Sequence, residues 1–303
     1  MLSSPGRCSV ERGQLSGRNF RLGMAKVQSV SADPRLHSYL RRGHKCVEGW
    51  LEPGATEMIV SVDRLQRKLG VTGNVAEIGV HHGRLLILLY LLTRWDERAL
   101  AIDLFSEQHL NIDHSGKGDL ASFLANMRRH ADVERLVIHE GNSLNLTAPK
   151  MIALAGGRFR LISIDGGHTC EITMHDLATA ETSLADGGVI ILDDLFSGFF
   201  AEVAEGTFQY FLEKPRSIVP FAIGANKTMF CGRQWAEQYL QAVFALSPKT
   251  AWRDFLASRV LCLDFTPPSF EERIGDTGMW RAIRDLSAIK SLRRAYKNTF
   301  RAR

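Results

Sequence analysis

The sequence lacks paired cysteines and lacks any long apolar run. Its five cysteines, Cys8, Cys46, Cys170, Cys231 and Cys262, are scattered, odd in number and never spaced C-x-x-C. That excludes a disulfide framework or a cysteine zinc site as the organising device. It points to a reducing compartment, the cytoplasm. The most apolar stretch, residues 85–92, is too short for a membrane span and reads as a buried helix. The first residues are basic and polar, without the apolar core of a signal peptide, and Met24 is a second candidate for the natural start. Internal repeats and low-complexity tracts are also missing, which argues against a solenoid.

What is present is a chain of 303 residues with 45% hydrophobic content, enough for one large domain or two small ones. The net charge of +5 is unevenly placed. Residues 1–45 carry nine Lys and Arg against Glu11 and Asp33, and residues 281–303 carry eight against Asp285. Each end is therefore +7, which leaves −9 for the body between them. An acidic body is a poor platform for nucleic-acid phosphates. The basic ends read as solvated tails, with an anionic surface or partner as the alternative.

Residues 1–40 are rich in Ser, Gly and Arg and predict a loosely held extension. Helical spacing runs over 55–69. Strands are then predicted at 75–80, 99–103, 136–139, 161–165 and 189–193. Helices alternate with them at 84–95, 119–130, 150–154, 171–184 and 201–212. Residues 218–223 and 228–231 form a hairpin-like pair joined through Gly224-Ala225-Asn226-Lys227. Helices follow at 235–246 and 279–297, the last with a basic face. Alternating strands and helices mean a parallel sheet covered on both faces. The predicted class is α/β: a Rossmann-like, doubly wound, mostly parallel seven-stranded sheet. A terminal antiparallel hairpin and N- and C-terminal helical extensions complete it. Residues 1–45 form a basic, partly disordered extension, 46–235 the main domain, and 236–303 a helical extension with a basic tail.

Two strands end in carboxylates: Ile164-Asp165-Gly166-Gly167-His168, and Leu192-Asp193-Asp194. Side by side and parallel, they bring Asp165, Asp193 and Asp194 to one sheet edge. Clustered carboxylates repel one another unless a cation sits among them, and hard oxygen donors favour magnesium, calcium or manganese. The alternative is that Asp193 or Asp194 caps the following helix, and that His168 does the same. Glu77-Ile78-Gly79-Val80-His81-His82-Gly83 ends the first strand and opens a helix, where glycines let backbone approach a ligand. Its spacing is not the G-x-G-x-x-G of dinucleotide sites, which argues against a nicotinamide oxidoreductase. A structural tight turn accounts for it equally well. Asp103 ends the second strand, where a carboxylate can accept both hydroxyls of a ribose or simply face solvent. Glu77 and Asp103 on adjacent strand ends describe a nucleoside site.

Taken in order, these motifs resemble the class I S-adenosylmethionine-dependent methyltransferases. The small-molecule O-methyltransferase branch, with catechol and macrolide-sugar enzymes, is the most similar. The resemblance covers about residues 47–232. It rests on Gly49-Trp50-Leu51, Ala76-Glu77-Ile78-Gly79 through Gly83, Ala101-Ile102-Asp103, Gly141-Asn142-Ser143 and Ile164 to His168. Asp186-Gly187-Gly188, Asp193-Asp194 and Pro220 to Lys227 complete it. It implies a main domain that binds S-adenosylmethionine. Gly79 and Gly83 would line the methionine part with Glu77 beneath, Asp103 would hold the ribose, and Asn142 and Ser143 would approach the adenine. Asp165 would contribute to both cofactor and metal. Asp165, Asp193 and Asp194 match the family's ligands for a divalent cation, Mg2+. His168 stands where catechol-type enzymes place a lysine base, and its ordinary pKa near neutrality suits that task. Leu85 departs from the Ser or Thr often found there, Phe196-Ser197 from a common Phe-Asn, and His81 and His82 are unusual and read as solvent-facing.

The implied reaction is methyl transfer to a hydroxyl of a sugar, polyol or phenol, with positioning as the main source of rate. The alternatives are a metal-dependent hydroxylase on the same fold and a non-catalytic cofactor-binding adaptor. No nucleic-acid partner and no transmembrane segment are expected, and the terminal helices are candidate dimer or lid elements. Phe199, Phe200, Phe208, Tyr210 and Phe211 read as core, with one or two left for a substrate wall.

Overall fold

A computed structural model describes residues 33–266, apart from Pro53, Asp113 and Pro248. Most of the expected loose extension, the helix at 279–297 and both basic tails lie outside the described residues. The first helix, α1 (Pro34–Arg41), begins inside the stretch predicted to be loose. Asp33 caps it by accepting from the Arg35 amide, Pro34 pre-sets its first turn, and Leu36 and Tyr39 are buried. The Tyr39 hydroxyl donates to the Arg84 carbonyl at 2.6 Å, which ties this helix to the glycine loop.

The chain then runs through α2 (Ala55–Leu69), β1 (Asn74–Ile78), α3 (Arg84–Leu92), β2 (Ala99–Asp103), α4 (Leu120–His130) and β3 (Leu136–Glu140). It continues with α5 (Ala148–Ala155), β4 (Phe159–Ile164), α6 (Cys170–Ser183), β5 (Leu184–Asp193) and α7 (Ala201–Glu213). The hairpin β6 (Ile218–Gly224) and β7 (Lys227–Gly232) follows, then α8 (Ala236–Phe244), β8 (Lys249–Phe255) and β9 (Ser258–Asp264). The sheet order is β3-β2-β1-β4-β5-β7-β6-β9-β8. Strands β3, β2, β1, β4 and β5 pair in parallel, and β7 is antiparallel to both neighbours. β1 and β4 are buried along their whole length, as strands covered on both faces must be.

The expected seven strands are the first seven of nine among the described residues. β8 and β9 extend the sheet through parallel pairing of β6 with β9, at Ala222 opposite Leu261. Their residues were read as part of a helical extension, of which the described part holds α8 and this hairpin. The hairpin turn is Leu256-Ala257, with φ of +49° and +54°. Two-residue turns of this kind usually announce themselves by Asn or Gly, and neither residue does so.

The chain passes from β1 outward to β3, then returns to β4 on the other side of β1. This reversal opens a crevice beyond the carboxyl ends of β1 and β4, where open α/β sheets take ligands. At the opposite ends of the same strands lies a closed polar cluster. The fully buried Arg160 guanidinium bonds Glu97 at 2.9 Å, Gln66 Oε1 at 2.8 Å and the Leu92 carbonyl at 2.9 Å, and pairs with Asp63 at 3.0 Å. Among the described residues no helix is long and apolar enough to cross a membrane.

Candidate active site

The glycine loop is shaped by close backbone approach. Gly79 has φ +84°, and a Cβ on it would lie 1.8 Å from the Asp165 carbonyl oxygen. No side chain fits there. The two strand ends are locked by Asp165 N–H donating to Ile78 at 2.8 Å and Gly79 N–H donating to Ile102 at 2.9 Å. Gly83, at φ +89°, meets the Phe123 ring 2.8 Å from its would-be Cβ. Asp103 braces the loop from the next strand. Its Oδ2 accepts from the Val80 and His81 amides, both at 2.7 Å, and its Oδ1 from Phe105 at 2.8 Å. Its orientation is therefore set before any ligand arrives.

Asn142 and Ser143 follow β3. Asn142 Oδ1 accepts from the Leu144 amide at 3.0 Å, and the Ser143 hydroxyl donates to Asp176 Oδ2 at 3.2 Å. Burial pushes the Asp176 carboxyl up, against the hydrogen bonds from His175 and Ser143. Asp176 and His175 are thus a support beneath this loop.

Across the strand ends lies an acidic cluster with its own cation. Asp193 faces Lys227 across the β5–β7 pair. Lys227 is only 2% exposed, and its ammonium bonds Asp193 Oδ2 and lies 3.8 Å from Asp165. Burial would lower the lysine pKa, but Asp165, Asp193 and Glu77 outweigh it and hold it above its ordinary value. Glu77, also 2% exposed, is pushed well above the carboxylate range, first by burial and then by Asp165. Asn226 Nδ2 donates to Asp193 Oδ1 and Asp194 Oδ1, both at 2.9 Å, and the Asp194 amide adds a bond to Asp193 at 3.0 Å.

Asp194 turns the other way. Its backbone lies in the left-handed region at φ +58°, a conformation a non-glycine residue holds only when its surroundings impose it. Its carboxylate sits 3.4 Å from His168 Nε2. Burial works against the Asp194 charge, yet the His168 and Asn226 hydrogen bonds hold its carboxyl below the usual range. The His168 Nδ1 lies 3.0 Å from the Ser115 hydroxyl, and the imidazole stacks on Phe200 with ring centroids 3.7 Å apart.

The expected Asp165–Asp193–Asp194 metal set is therefore divided. Asp165, His168 and Asp194 bring ligand atoms within 4.8 Å of one another. Asp193 stands outside this group because Lys227 and Asn226 engage its two oxygens. His81 and His82 do not simply face solvent. Their rings stack at 3.9 Å, His82 lies 3.4 Å from Glu48, and His81 lines the cavity beside Trp50. Burial, then His82, lowers the His81 pKa.

One cavity of about 1070 Å³ joins these parts. Gly79, Asp103, Asn142, Ser143, Asp165, His168, Asp193, Asp194 and Lys227 all line it. Glu77 and Gly83 lie behind its wall. Phe199 and Phe200 line it too, whereas Tyr210 is core.

The family model for the methyltransferase domain matches residues 76–195, the span from the glycine loop to the paired aspartates. This stretch, less than half of the chain, is similar to a methyltransferase domain. Among curated proteins, none matches the chain. Solved structures similar to this chain include the O-methyltransferase NovP, 14% identical, with a TM-score of 0.48 over 59% of this chain and 80% of that one. Another is the O-methyltransferase TomG from Streptomyces achromogenes, solved in complex with SAM, 15% identical, with a TM-score of 0.45 over 66% and 90%. A third is the Bacillus cereus O-methyltransferase in complex with SAH, 16% identical, with a TM-score of 0.45 over 66% and 91%.

Two residues of this cavity, Lys227 and Ser115, were not read as site residues from the sequence. Lys227 was seen only as the end of a hairpin turn. The two-residue turn at Ala225-Asn226 fixes only its pairing with β6; its place opposite β5 is a long-range register with no local signal. Ser115 lies in a long connection with no periodicity and left no signal.

Proposed function

We propose that the protein is an S-adenosylmethionine-dependent O-methyltransferase acting on a hydroxyl of a small molecule, a sugar, polyol or phenol, in the cytoplasm. The observation that carries this reading is the single cavity. It runs from the braced Asp103 and the Asn142-Ser143 loop to the His168–Asp194 pair and the Phe199 and Phe200 wall. One end offers a carboxylate for a ribose, and the other an imidazole within an apolar rim, the mix expected of a small-molecule site.

S-adenosylmethionine supplies a methyl group on a sulfonium, so an oxygen–carbon bond forms as the carbon–sulfur bond breaks and the sulfur becomes neutral. The chain's own residues supply placement and proton removal. Asp103, held by three amides, fixes the ribose end. Asp194 orients His168 through Nε2. His168, held between Asp194 at Nε2 and the Ser115 hydroxyl 3.0 Å from Nδ1, takes the hydroxyl proton. Phe200 fixes the plane of the ring.

A Mg2+ bound jointly by Asp165, Asp193 and Asp194 does not fit this arrangement, because both Asp193 oxygens are engaged by the chain itself. Proton removal is therefore assigned to His168. The remaining donors at this corner, the Asp165 and Asp194 carboxylates and the His168 imidazole, differ from the two histidines and one carboxylate of a non-haem iron oxygenase.

The test is calorimetric titration with S-adenosylmethionine and S-adenosylhomocysteine, followed by a panel of sugars, polyols and phenols scored for S-adenosylhomocysteine release. Stoichiometric binding and turnover of one class support the reading. Failure to bind either nucleoside would refute it.

A further inference from the structure

We propose that Lys227 is the resident cation of this site. It is a built-in ammonium that compensates Asp165 and Asp193, so that the cofactor pocket assembles without a divalent ion. The inference rests on the reading of the cavity as an S-adenosylmethionine site and specifies how its floor is held together.

Three observations carry it. Lys227 and Asp193 are direct partners in the β5–β7 register, so their side chains meet by backbone geometry rather than by chance of rotamer. The Nζ bonds Asp193 and stands 3.8 Å from Asp165. Lys227 is 2% exposed, and a buried ammonium persists only where carboxylates surround it. A dication shared by Asp165 and Asp193 would stand within a few ångströms of that ammonium and be repelled by it. The β6–β7 hairpin keeps the ammonium in place. Its turn residues Ala225 and Asn226 both have positive φ, and Asn226 clamps Asp193 to Asp194. Asp165 is left with its carboxylate toward the cavity, where a cationic ligand would sit.

The exchange can be read without an acceptor. The full-length wild type, Lys227→Met and the double variant Lys227→Met with Asp193→Asn are titrated with S-adenosylhomocysteine in chelator and in Mn2+. Bound Mn2+ is followed by electron paramagnetic resonance and melting temperature by scanning fluorimetry. The wild type should bind S-adenosylhomocysteine equally with and without chelator and show no tightly bound Mn2+. Lys227→Met should lose about tenfold or more of that affinity in chelator, since uncompensated carboxylates remain. It should recover most of the loss, and gain melting temperature, as Mn2+ binds. Should Lys227→Met fail to fold in chelator, folding on addition of Mn2+ supports the same conclusion. The double variant, with both charges gone, should fold and stay indifferent to chelator. Tight Mn2+ binding by the wild type with loss of ligand affinity in chelator would overturn the proposal, as would full affinity of Lys227→Met in chelator. If the wild type binds no adenosyl ligand at all, the proposed function fails. The Mn2+ titration and melting curves then still decide the role of Lys227.

Discussion

Strand β4 carries a buried polar cluster at each end, and the two differ in kind. At its amino end the fully buried Arg160 is enclosed by Glu97, Asp63, Gln66 and the Leu92 carbonyl. At its carboxyl end Asp165 shares Lys227 with Asp193, and the cluster opens on a cavity of about 1070 Å³. There the buried Glu77 Oε2 has no hydrogen-bond partner. A closed, matched cluster holds strands together. An open one, whose groups have perturbed pKa values and line a cleft, is a candidate ligand site.

The sharpest way to break this contrast is at the closed end. Arg160→Met should cost about 3 kcal/mol of stability, because Glu97 and Asp63 stay buried and keep only Arg94 and Arg67 as ion-pair partners. Urea denaturation reads the loss, and affinity for S-adenosylhomocysteine in the folded fraction should not move. A weakened ligand affinity would mean that the two ends are coupled. At the open end, His168→Ala should lower turnover about 10²- to 10⁴-fold, the usual share of a general base. Cofactor affinity should hold, and an equal fall in both would make the imidazole structural. Asp103→Ala should weaken S-adenosylhomocysteine binding by about tenfold or more, from lost hydrogen bonds to a charged group. It should also cost about 1 kcal/mol of stability from the freed loop amides. Unchanged calorimetric affinity would misplace the ribose.

The smallest effect concerns Asp176, whose carboxyl burial holds above its ordinary value. The folded state then keeps a proton that the unfolded state has released above about pH 4. Stability therefore falls as pH rises from there through the folded value. Asp176→Asn should flatten that part of the profile, measured by denaturation across a pH series. A slope that survives the substitution would assign it to another group.

Much of this was legible before the fold was known. Strand tips ending in Glu77, Asp103, Asp165 and Asp193 fall where expected, because apolar runs of strand length bounded by glycines leave little freedom of placement. The β6–β7 hairpin was visible through Gly224 and Asn226. The β8–β9 hairpin was not, since Leu256 and Ala257 adopt positive φ without the residues that signal it. β8 also shows mostly exposed or half-buried positions rather than a strict alternation. His81 and His82, read as solvent-facing, are drawn inward because α1 and the Gly49-Trp50 segment pack over the loop.

What the sequence by itself determined is the alternation of elements, hence a parallel sheet with carboxylates at its ligand-binding edge. Local periodicity and turn chemistry carry that information along the chain. Only the tertiary structure decided which charge meets which. Asp193 belongs to Lys227 and Asp194 to His168, because an antiparallel register and one left-handed backbone residue send neighbouring carboxylates in opposite directions. Such pairings depend on distances between distant segments, and no local pattern encodes them.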